Sequence, residues 1–111
     1  MVVISSGTTV TARPTGGLYA AGKAARDRLV RAAAKELGPR GITVNSVLPG
    51  ATHTDALEAG ASAERLAATR AQTPLGRLGE PDDIAAVVAF LVSQDGRWIT
   101  GQTPHSGGGL L

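Results

Sequence analysis

Tyr19 and Lys23 stand four residues apart near the start of a long proline-free stretch, and Ser6 closes the short run Val2-Val3-Ile4-Ser5-Ser6 thirteen positions before the tyrosine. Side chains four apart on a helix project from one face. The phenol and the ammonium would then lie side by side, with the strand-end hydroxyl turned toward them. A phenol, an ammonium and an alcohol in that relation are the parts of a proton-transfer centre. Phenols ordinarily titrate near 10, which suits acid–base work at neutral pH poorly. An ammonium about 4 Å away would favour the phenolate by on the order of 4 kcal/mol at an effective dielectric of about 20. Taken alone, Tyr-x-x-x-Lys occurs on many amphipathic helices, so its weight rests on the elements that position it.

Those elements read clearly. Val2-Val3-Ile4 is β-branched and bounded by Ser and Gly, and it reads as a buried strand over about 2–5. Gly7 to Gly17, with Pro14 and clustered threonines, reads as a loop. From Leu18 to Leu37 there is no proline and Gly only at position 22. Leu18, Ala21, Ala25, Leu29, Ala32, Ala33 and Leu37 recur at helical spacing, and Gly38-Pro39 ends the helix. Ile42 to Leu48 reads as a second strand closed by Pro49-Gly50. Strand, long helix and strand make a βαβ unit, whose strands are parallel and whose crossover is right-handed. Residues 51–80 read mostly as loop, with a short helix over 63–71 capped by Ser62. Pro81 suits a first helical position, and Asp82 and Asp83 suit the positive end of the helix dipole. Ile84, Val87, Val88, Leu91 and Val92 then continue a helix to about Ser93. A last, weak strand is expected near 102–105, where Pro104 has no N–H to donate.

Composition narrows the function classes. The chain has 111 residues and a net charge of +2, with arginines scattered rather than clustered, which argues against a nucleic-acid surface. It has no cysteine, so thiolate metal sites and disulfides are excluded. His53 and His105 are far apart, and no metal is assigned. No apolar run reaches the roughly 18 residues of a membrane span. A cytoplasmic location without a membrane partner is the expectation. Asn45 reads as a buried hydrogen-bonding residue, and Asp82 and Asp83 as helix-start residues rather than a catalytic pair.

Five stretches in order resemble the short-chain dehydrogenase/reductase family. Ile4-Ser5-Ser6 resembles the strand ending in that family's catalytic serine. Tyr19-x-x-x-Lys23 follows at the family's spacing. Glu36-Leu37 with Gly41-Ile-Thr-Val-Asn45 resembles its E-L-x-x-x-G-I-x-V-N stretch. Pro49-Gly50 with Thr54 resembles its P-G-x-x-x-T loop. Pro74 to Asp83 with Ile99-Thr-Gly-Gln102 resembles its C-terminal region. The resemblance implies an α/β fold, the C-terminal part of a Rossmann-like doubly wound parallel sheet with about three strands and two long helices. Residues 1–111 would form one partial domain.

It also implies a chemistry. Hydride would pass between NAD or NADP and a small-molecule carbonyl or alcohol. Ser6, Tyr19 and Lys23 would be catalytic, with Tyr19 as general acid or base and Ser6 holding the substrate oxygen. Tyr19, Lys23, Pro49, Gly50, Thr52 and Thr54 would contact the nicotinamide end of the cofactor. The alanine-rich helix would pack on a second subunit, giving a homo-oligomer.

Departures from the pattern matter. The family's glycine-rich phosphate turn, its ribose-reading residue and its catalytic asparagine lie in an N-terminal half with no counterpart here. Gly22 stands where the family often has Ser, and Thr103-Pro-His-Ser106 replaces a regular last strand. A truncated chain, weak or inactive alone, is the expectation. Two alternatives remain: a non-catalytic association module, or one half of a split enzyme. No residue selects the substrate, and 3-oxoacyl-carrier-protein reduction is one activity among many.

Overall fold

The computed structural model describes residues 1–11 and 14–111, so part of the loop expected over Gly7–Gly17 lies outside the described residues. In chain order the elements are β1 (Val2–Ile4), α1 (Gly17–Leu37), β2 (Asn45–Pro49), α2 (Asp55–Gly60), α3 (Ala63–Gln72), α4 (Pro81–Val92) and β3 (His105–Ser106). Single 3-10 turns stand at Gly7–Thr9 and Gly38–Arg40. The sheet is parallel, in the order β1-β2-β3. Val2, Val3 and Ile4 pair with Asn45, Ser46 and Val47, while Leu48 and Pro49 pair with His105 and Ser106. The β1–α1–β2 unit expected from sequence is therefore formed.

Strand β2 is the centre. Val44, Asn45, Ser46, Val47 and Leu48 are all buried. Alternate residues of a strand face opposite sides. Val44 packs with Val30 and Ala34 of α1, and partly buried Val3, Ala33, Leu37 and Ile42 surround them. Ser46 also turns toward α1, where its hydroxyl donates to Asp27. Asn45 and Val47 must then face the other way, and they are fully buried. Helix α4 is the other long element against β2, and its Leu91 is buried. Helices thus cover both faces, as in a doubly wound sheet. Each large apolar side chain removed from water contributes roughly 1.5–3 kcal/mol.

Four differences from the sequence reading have physical causes. Strand β2 begins at Asn45 rather than Ile42. The Ile42 N–H donates to Leu37 O and the Val44 N–H to Thr100 Oγ1, so neither joins the ladder with β1. Gly38 does not take the left-handed position after α1. It is right-handed, and the chain reverses at Gly41, with φ of 72°. Most of the expected apolar stripe of α1 faces outward, with Leu18 93% and Leu29 68% exposed; only its C-terminal members Ala33 and Leu37 pack on the core, and the buried positions are Asp27, Val30 and Ala34. Residues 55–60 are helical, with Thr54 accepting from the Leu57 N–H at 3.3 Å.

The last strand holds to β2 through carbonyls. Ser46, Leu48 and Gly50 donate their N–H groups to Gln102, Pro104 and Ser106. Pro104 lacks a donor, but on this side of the ladder only its acceptor is needed. Asn45 completes the attachment, donating to Ile99 O at 2.8 Å and accepting from Gln102 N–H at 3.0 Å. Ser62 caps α3 as expected, accepting from Arg65 N–H at 3.2 Å. Helix α4 starts at Pro81, and Asp83 accepts from the Glu80 N–H at 2.7 Å. Among the described residues no helix is long and apolar enough to cross a membrane.

Candidate active site

Ser6 leaves β1 at the first residue of a turn. Its backbone is extended, with φ of −159°, and its oxygen accepts from the Thr8 N–H at 3.3 Å and the Thr8 hydroxyl at 3.0 Å. The Ser6–Thr8 contact joins two hydroxyls, either of which can turn its proton toward a ligand oxygen. Tyr19 lies in the first turn of α1 and is 56% exposed. Both side chains line one cavity of about 450 Å³, together with Thr8, Pro49 and Gly50. Leu57 of α2, Leu66 of α3 and the pair Leu110-Leu111 also line it.

Lys23 sits differently from the simple side-by-side picture. Its ammonium lies over the Tyr19 ring, 5.6 Å from the centroid, and donates to Ile4 O at 3.1 Å. Arg26 donates to the same carbonyl at 2.8 Å. Lys23 does not line the cavity itself. It ties α1 to the end of β1 and presents its charge to the tyrosine through the ring face, a cation–π arrangement. Water reaches both groups, so their coupling is screened relative to a buried pair.

Asp27, two turns after Tyr19 on the same helix face, was not singled out by the sequence reading. It is only 8% exposed. Ser5 Oγ donates to it at 2.9 Å and Ser46 Oγ at 2.6 Å. One carboxylate thus joins α1, β1 and β2 next to Ser6. An acidic residue in register with Tyr19 and Lys23, and with Val30 and Ala34 behind it, was the available signal.

The remaining candidates are spread. Pro49 and Gly50 line the cavity, and a Cβ on Gly50 would lie 2.7 Å from Gly107 Cα. Glycine is required there by the backbone after β3. Thr52 Oγ1 donates to Gly50 O at 3.2 Å, and Thr54 caps α2. Neither threonine lines the cavity. Between them, His53 pairs with Glu58 at 2.5 Å and Glu80 at 3.5 Å. The Glu58 hydrogen bond and charge, helped by Glu80, hold the imidazole above its usual value. Arg77 grips Asp83 with both terminal nitrogens and holds that carboxyl well below the usual carboxylate range. Among the described residues no group of His, Asp or Glu is placed to hold a metal ion.

Residues 1–111 match the family model described as enoyl-(acyl carrier protein) reductase. An uncharacterized oxidoreductase of Methylorubrum extorquens is 45% identical over 99% of this chain and 45% of its own length. A 3-oxoacyl-[acyl-carrier-protein] reductase of Vibrio cholerae is 47% identical over 83% of this chain and 37% of its own. A 7α-hydroxysteroid dehydrogenase, solved with NADH and 7-oxo glycochenodeoxycholic acid, superposes with a TM-score of 0.94 at 38% identity. That match covers 97% of this chain and 42% of the dehydrogenase. The chain therefore belongs to the short-chain dehydrogenase/reductase family of oxidoreductases. It spans less than half the length of these relatives.

Proposed function

We propose that the chain is a partial Rossmann-like domain carrying the acid–base centre of an NAD(P)-dependent oxidoreductase that interconverts a small-molecule carbonyl and alcohol. The observation that carries this reading is the shared cavity, which Ser6 and Tyr19 line together beside the Pro49-Gly50 turn. In carbonyl reduction, Ser6 donates to the substrate oxygen and holds it. Tyr19 delivers its phenolic proton to that oxygen as negative charge develops there. In the alcohol-oxidising direction the same phenolate removes the hydroxyl proton. Lys23 places its charge over the Tyr19 ring face and fixes the rotation of α1 at Ile4.

The residues present fit the nicotinamide end of a dinucleotide. Hydroxyls of Ser6, Thr8 and Tyr19 and the glycine floor at Gly50 suit a neutral, planar amide and its ribose. When bound, the nicotinamide supplies or accepts the hydride. No G-x-x-x-G-x-G precedes a helix in this sequence, and NAD and NADP are not distinguished. Thr52 and Thr54 belong to the proposed cofactor side through the loop that follows Gly50. We place the reaction in the cytoplasm, in keeping with a chain without cysteine.

The test is hydride transfer from NADH and NADPH to simple ketones, followed by loss of reduced-nicotinamide absorbance. It uses the chain supplemented with the remaining length that its relatives possess. Turnover that disappears in both Ser6→Ala and Tyr19→Phe supports the assignment. Full turnover in Tyr19→Phe refutes it.

A second reading is favoured by the outward stripe of α1. Leu18 and Leu29, at 93% and 68% exposed, lie with Ala21, Ala25 and Ala32 on a face that no described element covers. We infer that this face joins a second copy of the chain. Sedimentation equilibrium tests it: Leu29→Glu should leave only monomer, and an unchanged mass for wild type at monomer value would dismiss it.

A further inference from the structure

We propose that Leu111, seated with Leu110 at the Ser6–Tyr19 cavity, selects substrates that carry an apolar group on the reacting carbon. This rests on the function proposed above. The chain after β3 is turned back by two successive left-handed glycines, Gly108 at φ 61° and Gly109 at φ 85°, a conformation that glycine alone adopts readily. The Leu110 N–H closes the turn onto Gly107 O at 3.0 Å. The turn delivers Leu111 against Gly7, the residue directly after Ser6. A Cβ on Gly7 would stand 2.5 Å and 2.7 Å from the two Leu111 methyl carbons, and one on Gly107 would stand 3.0 Å from the nearer. Leu111 is therefore wedged between the backbone after β1 and the backbone after β3.

This wedge makes the cavity two-sided in chemistry. Hydroxyls of Ser6, Thr8 and Tyr19 mark the place of the reacting oxygen. Leu111 and Leu110 border it together with Leu57 of α2 and Leu66 of α3, while polar residues of α3 complete the lining. A substituent lying against Leu111 meets no hydrogen-bonding group on that side chain. A polar substituent there loses water without replacement, and burying an unpaired polar group is costly. An alkyl or aryl substituent gains contact instead. Discrimination of this kind is worth at least about tenfold per well-placed methylene. Leu111 is a specificity residue and takes no part in proton transfer.

The chain with 13C-labelled leucine methyls and labelled tyrosine is titrated with 2-octanone and, separately, with acetone, and followed by NMR. Shifts of the Leu111 methyls and the Tyr19 ring with 2-octanone are expected. Leu111→Ala should weaken 2-octanone binding roughly tenfold relative to acetone. Gly7→Ala should do the same, because its methyl must displace Leu111. Val92→Ala, at an exposed position of α4 away from the cavity, should leave the preference unchanged. The proposal is overturned if 2-octanone leaves the Leu111 methyls in place, or if Leu111→Ala keeps the wild-type preference. Hydride transfer is not part of this readout. A leucine response with no turnover would count against the redox reading alone, and turnover with no leucine response against this proposal alone.

Discussion

Replacing Asp27 with alanine should be among the most damaging single changes to the β1–α1–β2 unit. The carboxylate accepts two hydroxyl protons, at 2.6 Å from Ser46 and 2.9 Å from Ser5. All three residues are buried. A hydrogen bond to a charged acceptor contributes about 1.5–3 kcal/mol net, so the two together reach roughly 3–6 kcal/mol. Against this stands the cost of holding a carboxylate away from water, which alanine removes. We expect a net loss of about 2–4 kcal/mol for Asp27→Ala. A domain of this size is stable by only about 5–15 kcal/mol, so that is a large share. Asp27→Asn keeps two polar partners for the hydroxyl rotors and should cost about 1 kcal/mol. The triple variant Ser5→Ala/Asp27→Ala/Ser46→Ala leaves no orphaned hydroxyl and should recover part of the loss. Urea denaturation followed by circular dichroism reads all of these, provided the slope is unchanged. An Asp27→Ala penalty under about 1 kcal/mol, or a triple variant worse than Asp27→Ala alone, would refute the reasoning.

Further outcomes follow from the same geometry. Tyr19→Phe in a chain completed to the length of its relatives should lower kcat by on the order of 100-fold or more with KM little changed, read from reduced-nicotinamide absorbance. Gly50→Ala must push against Gly107 Cα, 2.7 Å from the new methyl, and should cost about 1–3 kcal/mol in a urea melt. His53, held above its usual 6.5 by Glu58 and Glu80, contributes stability that is complete below 6.5 and fades as pH rises through the raised value. His53→Gln should therefore remove a small stability decline across that window, visible in urea midpoints against pH. Calorimetric titration of the chain alone with NADH and NADPH should give dissociation constants of about millimolar or weaker, near 4 kcal/mol of binding. Micromolar binding would contradict it.

The readable parts of the sequence were those in which a period and a boundary agreed. Val2-Val3-Ile4, the proline-free run to Leu37 and the Pro81 start of α4 each carry both, and each forms within a few residues of expectation. The buried face of α1 was not readable. Alanines are distributed around that helix, so several stripes score alike, and the choice among them is made by β1 and β2. The winning stripe contains Asp27, which hydrophobicity alone would assign to water. Helix α2 was missed because six residues ending at Gly60 are too short for a period to show; the first-turn acids Asp55 and Glu58 after Thr54 were the usable sign. Leu110 and Leu111 carried no signal at all. Their place depends on two left-handed glycines and on the gap at Gly7, both of which are properties of the folded chain.

The attachments around Tyr19 explain how α1 and the two strands it joins fix the proposed Ser6–Tyr19 site. Tyr19, Lys23 and Asp27 occupy successive turns of one face of α1. Lys23 and Arg26 hold the Ile4 carbonyl, and Asp27 holds Ser5 and Ser46. Ser6 follows directly from the two residues so held. The relative placement of the Ser6 and Tyr19 hydroxyls is therefore set within residues 1–49, by one helix and the two strands it joins. Affinity for a dinucleotide has a different origin, in phosphate contacts at a helix N-terminus and in burial of the adenosine. Changes at Asp27 should therefore alter the relative placement of Ser6 and Tyr19 through the rotation of α1, while leaving the Pro49-Gly50 turn almost untouched.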